Sequence, residues 1–320
     1  MTTLFELREK IKNFYGAHEM MLRPIIKFLA VFVSLLLIKS NIGFMGLLNS
    51  WIIILSLSVI SAFLPWNVVA VILAADILAN IFSVSVELGG LILLIVLILF
   101  LLFFRFSPKQ GALLVLIPLA FFLKIPYAIP VVVGLLWAPY AIIPAIFGTI
   151  IYFMIFVIGE NTELLTRMSN GNISSASVNS IINMLSNNNE MILIIIAFVI
   201  TILVVYFIKR MSVDNAWTIA IFAGGILEFV IVLVGNLMLK TESSLLEIII
   251  GNIFSIIVSF VIHFFVFSVD YSRTEHTQFE DDEYYYYVKA VPKINVTAPE
   301  MNVKRINAQR RKKNQNRKIK

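Results

Sequence analysis

The sequence predicts an all-α protein: a polytopic transmembrane helical bundle of about ten spans, with broken or re-entrant helices around residues 110–159. Three observations carry that expectation. Of 320 residues, 60% are hydrophobic and 14% charged, with a mean hydropathy of +0.94, whereas soluble domains run near ~45–50% apolar and ~25% charged. The apolar residues gather into runs of the ~20 needed to cross a bilayer. Lys and Arg crowd the termini and a few short loops, a pattern of membrane orientation and not of nucleic-acid binding. With no cysteine, disulfides, thiolate metal sites and a cysteine nucleophile are excluded.

Residues 1–23 open with "MTTLFELREKIKNFYG", where charges interrupt any apolar core, so no cleavable signal is expected. Leu4, Leu7, Ile11 and Phe14 recur at helical spacing, with Arg8, Glu9, Lys10 and Lys12 elsewhere around the turn. This reads as an amphipathic helix, lying either on the inner leaflet or against the protein's own loops. The transmembrane region, 24–268, contains apolar segments near 24–40, 45–64, 66–85, 87–105, 110–124, 126–140, 141–159, 190–208, 215–239 and 244–268. With a cytoplasmic N-terminus, Lys and Arg divide 21 inside against 4 outside (Lys39, Lys124, Arg167, Lys240). Without the tail after 268 the division is 9 against 4, which places both termini in the cytoplasm. The extracytoplasmic loop 160–189 exceeds an ordinary connector, and its "SIINML" patch suits a short surface helix.

Pro118, Pro126, Pro130, Pro139 and Pro144 fall within 27 residues. Each removes a backbone donor, so this region is expected to contain short, broken or re-entrant helices, either shaping a transport path or simply kinking for packing. Asp76 lies in the middle of the third span, and Asn80, Ser83 and Glu87 follow at steps of four, three and four, on one face of a continuing helix. An ionisable group at that depth costs at least ~2.5–3.5 kcal/mol, so it is expected to face a cavity or a partner. Alanines 70, 74, 75 and 79 permit close approach of a neighbouring helix.

Glu228, mid-way along the ninth span after Gly224 and Gly225, is a second candidate, as a proton relay or a packing residue. Asn252, Ser255, Ser259 and His263 line one face of the tenth span. Together with the Asp76 stripe this face either makes a hydrated path or packs its serines on their own backbone. The fourth span has no polar residue in "LILLIVLILFLLFF" and is expected to face lipid on most sides. Pro65–Trp66 and Pro126–Tyr127 open similar segments 61 residues apart on opposite sides, in the manner of an inverted repeat. No nucleotide-binding, HExxH or GxSxG motif occurs. No cofactor or metal is expected, and ATP-driven work would need a separate ATPase subunit.

The tail, 269–320, carries "FEDDEYYYYVKAVPK": Phe279, Glu280, Asp281, Asp282, Glu283, then Tyr284, Tyr285, Tyr286 and Tyr287. Its tyrosines and Val288 favour an extended stretch suited to docking a cytoplasmic protein partner. The end from Lys304 to Lys320 is polybasic, and anionic lipid is its expected contact, at ~1 kcal/mol per basic residue. "QFEDDEYYYYVKAVPK" (Gln278 to Lys293) resembles a juxtamembrane segment of multi-span membrane proteins of Firmicutes-type bacteria, some of which carry a permease label. The resemblance covers little of the chain beyond this segment and assigns no role to any residue. It implies a bacterial plasma membrane and favours transport.

The sequence therefore leads to two expectations. One is a transporter or permease subunit for a small solute or ion, with Asp76 and Glu228 on a shared cavity. The other is a non-transporting scaffold for envelope or secretion machinery, docking through the tail.

Overall fold

The computed structural model describes residues 2–161, 175–239, 244–266, 275–280 and 283–290. The chain divides into two compact units, residues 15–268 and residues 1–14 with 269–320. In the first unit α2 (Glu19–Ile42), α3 (Trp51–Phe63), α4 (Trp66–Phe82), α5 (Val86–Phe106), α6 (Gly111–Phe122), α7 (Ala128–Leu136) and α8 (Ile142–Glu160) follow in order. After α9 (Ser175–Ser186), on the expected "SIINML" patch, come α10 (Asn189–Lys209), α11 (Ala216–Leu239) and α12 (Leu245–Val266). Among the described residues six helices are long and apolar enough to cross a membrane, those within 19–42, 86–106, 139–160, 182–209, 216–239 and 245–266. This fits an integral membrane protein; α3, α4 and α6 are apolar but shorter, and α7 has nine residues.

Long-range ties sort the helix ends into two sets. At one end Lys27 Nζ, near the start of α2, donates to Leu64 O at 2.9 Å, and Asn67 Nδ2 donates to Pro108 O at 2.7 Å. There too Ser107 Oγ donates to Tyr140 O, and Lys209 Nζ donates to Leu135 O and Trp137 O. At the other end Lys39 lies over the Trp51 ring, Met45 N donates to Asn80 Oδ1 at 3.0 Å, Gly159 abuts Asn41 and Lys124 pairs with Glu247 at 3.0 Å. Successive helices therefore alternate in direction.

Three sequence expectations change. The segment expected at 45–64 begins only at Trp51, because Ser50 Oγ accepts from Ile53 N and caps the helix, while Asn80 holds the preceding turn. The stripe from Asp76 to Glu87 does not run on one helix. α4 stops at Phe82, and Glu87 sits in the first turn of α5, started by the Ser85 cap on Leu88 N. The prolines mostly open helices instead of breaking them. Pro130 and Pro144 stand in the first turns of α7 and α8, and Pro139 opens the 3-10 turn Pro139–Ala141, where a missing N–H is unpaired in any case. Only Pro118 of the five lies inside a helix, and Pro126 lies in the turn before α7.

The turn between α6 and α7 is sharply defined. Ile125 N donates to Ala120 O at 2.9 Å and Lys124 N to Phe121 O at 3.0 Å, with Lys124 in the left-handed region at φ 59°. That is the Schellman arrangement, with lysine in the position that usually takes glycine. α6 and α7 thus form a tight Λ whose tip is Leu123–Tyr127.

The core has two halves. One joins α2, α4, α5, α6 and α8 around Val31, Ile77, Ile92 and Phe103. The other joins α7, α10, α11 and α12 around Val131, Val205, Ala220 and Val232, linked to the first by Ile117, Phe121 and Phe198. α5 buries Leu88, Ile92, Val96, Leu99 and Phe103 and exposes most of its remaining large side chains, as expected of a helix against lipid.

In the second unit the described parts are α1 (Thr2–Ala17) through Phe14 and a hairpin of β1 (Glu275–Glu280) and β2 (Tyr285–Ala290). The strands add to the all-α expectation and pair antiparallel, Phe279 opposite Tyr286 and Glu280 opposite Tyr285. Asp281, Asp282 and the polybasic end lie outside the described residues.

Candidate functional site

α10, α11 and α12 run antiparallel in turn, and glycine contacts set their register. Gly224 packs on Val205 and beside Thr201, Gly235 packs on Leu193, and Gly225 packs on Ile256. Stepping one turn along α11 from Gly224 brings Glu228 level with Thr201 on α10 and with Asn252 on α12. Gly224 faces α7 and α10, Gly225 faces α12, and Glu228 falls between those two directions at 100° per residue. Its carboxyl therefore enters the space enclosed by α7, α10 and α12.

The tip of α6–α7 reaches the same layer. Ser255 Oγ donates to Tyr127 O at 2.7 Å, and Gly251 lies against the Tyr127 ring. Tyr127 stands within electrostatic reach of Glu228. Ser255 is ten residues, ~15 Å, into α12, so α7 starts deep inside the bundle.

This layer has an imbalance of hydrogen-bonding groups. Glu228 is 0% exposed, and among the described residues neither carboxyl oxygen has a partner. Asn252 spends its amide on Ile248 O at 3.1 Å and leaves its oxygen unpartnered. Thr201 Oγ1 and, one turn beyond Ser255, Ser259 Oγ are buried and unpartnered as well. A buried polar group without a partner costs about 1–3 kcal/mol, so four such residues on neighbouring helices mark a place where stability is given up. Such places are frequently functional.

Asp76 stands elsewhere. It is half-buried on α4 in the other half of the core, and its carboxylate makes no hydrogen bond or ion pair among the described residues. Asn80, fully buried, accepts from Met45 N and donates to Asp76 O, so its polar atoms hold a turn. Ser83 is exposed and donates to Asn80 O, and Glu87 is exposed at the start of α5. Nearby Ala70 and Ala74, with Pro118, line an apolar cavity of about 50 Å³ between α2, α4, α5, α6 and α8. Asp76 is not among its lining residues. Asp76 and Glu228 belong to different helix groups, α4 in one half of the core and α11 in the other.

Of the tenth-span face, Asn252 lies level with Glu228 and Ser255 bonds the Tyr127 carbonyl beside it. Ser259 and His263 follow one and two turns beyond Ser255, His263 beside the Trp217 ring at 6.5 Å between centroids. Sequence reading passed over Thr201, whose only signal was being a hydroxyl inside an apolar run, and Tyr127, marked only by the preceding proline. In the tail, Phe279 stacks on Tyr286 at 4.8 Å with Tyr284 beside it, and Tyr285 and Tyr287 are exposed on the opposite face. Among the described residues no group of His, Asp and Glu could hold a metal. No protein family, curated protein or solved structure matches the chain.

Proposed function

We propose that this is a membrane transport protein for a small solute or ion, with Glu228 as the group that carries charge through mid-membrane. One observation supports the reading above the others: a wholly buried carboxyl with no partner, at the level where a short helix begins inside the bundle. Buried ionisable groups within spans are retained mainly on substrate paths and proton relays, and helices that start at mid-depth commonly border substrate sites. The α6–α7 pair is then a re-entrant Λ, and the other eight apolar helices cross fully, including the short α3 and α4. That is eight full crossings and one re-entrant pair, with both ends of the chain on the cytoplasmic side of a bacterial plasma membrane. The alternation of helix ends and the lysine and arginine bias support this topology.

The test uses the full chain in proteoliposomes under an imposed pH gradient and membrane potential, with an internal pH-sensitive dye and a panel of small solutes. Glu228→Gln is expected to lower the flux at least tenfold while preserving the folded, monodisperse protein. Flux that is the same in wild type and Glu228→Gln for every solute overturns the reading.

A second reading, a scaffold for envelope machinery or a docking point for an ATPase subunit, is favoured by the aromatic hairpin, which exposes tyrosines on both faces. An exposed two-stranded ribbon is marginal alone and gains from a partner. Deleting residues 278–320 should then release a specific cytoplasmic protein captured by cross-linking, and an unchanged set of captured proteins sinks this reading.

A further inference from the structure

We infer that the layer around Glu228 is a binding site for one small, dehydrated monovalent cation. The inference rests on the reading of Glu228 as the charge-carrying group and names its ligand.

The chemistry of the unpartnered atoms selects the ligand class. Glu228 Oε1 and Oε2 and Asn252 Oδ1 are acceptors, and the Asn252 amide is already committed to Ile248 O. Thr201 Oγ1 adds an oxygen lone pair from α10. The unpartnered oxygens of the layer thus outnumber its one uncommitted hydroxyl donor, on Thr201, and a cation supplies the positive charge they lack. A hard cation takes oxygen ligands of this kind, carboxylate, amide and hydroxyl. The charge follows from depth. A carboxylate with a monovalent ion is a neutral pair, whereas a divalent ion leaves a net charge in the middle of the bundle, at a cost of several kcal/mol.

The surrounding helices pack closely. A Cβ added at Gly225 would stand 2.7 Å from Ile256 Cγ1, one at Gly251 would stand 2.5 Å from Tyr127 Cδ2, and one at Gly224 would overlap Val205. Helices this close favour a small, dehydrated ion over a bulky organic cation. The tip of α6–α7 borders the layer, where the Tyr127 carbonyl accepts from Ser255 Oγ and its ring packs on Gly251.

The experiment measures binding of radiolabelled sodium to the full chain in nanodiscs, with choline chloride replacing sodium chloride to hold ionic strength. Thermal unfolding in sodium, lithium, potassium and choline chlorides is followed in parallel. Wild type is expected to bind sodium saturably, one ion per chain, and to unfold at higher temperature in sodium or lithium than in choline. Glu228→Gln should abolish both effects, and Thr201→Val should weaken binding about tenfold. Ser83→Ala, on the surface of the other half, should leave both unchanged. Absence of saturable sodium and lithium binding to wild type, or unchanged binding by Glu228→Gln, overturns the inference. Glu228-dependent flux that persists in sodium-free choline medium without sodium binding overturns it too, and leaves transport standing. Sodium binding without any flux supports the site and overturns the transport reading.

Discussion

The hydroxyl of Ser255 donates a 2.7 Å hydrogen bond to the carbonyl oxygen of Tyr127, 128 residues away in the chain. Both atoms are buried at the centre of the bundle. This bond sets the depth of the α6–α7 tip and therefore what stands opposite Glu228. Ser255→Ala leaves the Tyr127 carbonyl without its side-chain partner at a cost of about 1–3 kcal/mol. The expected result is a lower unfolding temperature in detergent together with reduced flux, and wild-type values for both would show that the tip is held by other contacts.

The two carboxyls are expected to separate in function. Glu228→Gln should lose flux at least tenfold, whereas Asp76→Asn should stay within about threefold of wild type. Asp76 is half-buried, lies outside the Glu228 layer and lines no cavity with it. A threefold change in rate corresponds to only about 0.7 kcal/mol. Equal losses in the two variants would restore Asp76 to the path.

Two glycines offer a packing test. A Cβ at Gly134 would stand 2.8 Å from Val205 Cβ and 3.0 Å from Ile202 O, whereas Gly90 has nothing within 4 Å. Neither neighbour of Gly134 can swing aside, so Gly134→Ala should destabilise by about 1–3 kcal/mol through overpacking. Gly90→Ala should be neutral or slightly stabilising. Thermal melts of the two purified variants provide the comparison.

The absence of cysteine makes the native chain a clean background for a topology test. Single variants Lys109→Cys and Ser212→Cys should react with a membrane-impermeant thiol reagent only from the cytoplasmic side. Val86→Cys and Ser186→Cys should react only from outside. A reversed pattern for either member of a pair breaks the proposed topology.

Lys209 is a further anchor. Its ammonium donates to Leu135 O and Trp137 O at 2.8 and 3.0 Å and lies over the Tyr206 and Trp217 rings. Lys209→Met keeps the apolar stem and removes the donor. The last carbonyls of α7 lose a charged partner, and a loss of about 1.5–3 kcal/mol is expected in unfolding experiments. Lys209→Arg should recover part of it.

Composition and hydropathy alone determined the class of this protein. So many apolar residues have no soluble solution, and among the described residues six of the apolar segments reappear as helices long enough to cross a membrane. The structure set a boundary that length did not, as with the Ser50 cap, which starts a helix inside the run that hydropathy reads from 45 to 64. Tertiary structure decided the site. Hydropathy treats Asp76 and Glu228 alike, as single acids in apolar runs, and their difference comes from neighbours remote in sequence. Asp76 flanks the core on α4, whereas Glu228 is enclosed by three helices and the tip of a fourth. That tip lies where it does because Lys124 closes a Schellman turn and Ser255 catches the next carbonyl. Such a contact has no period or composition along the chain, so only the folded arrangement brings it out.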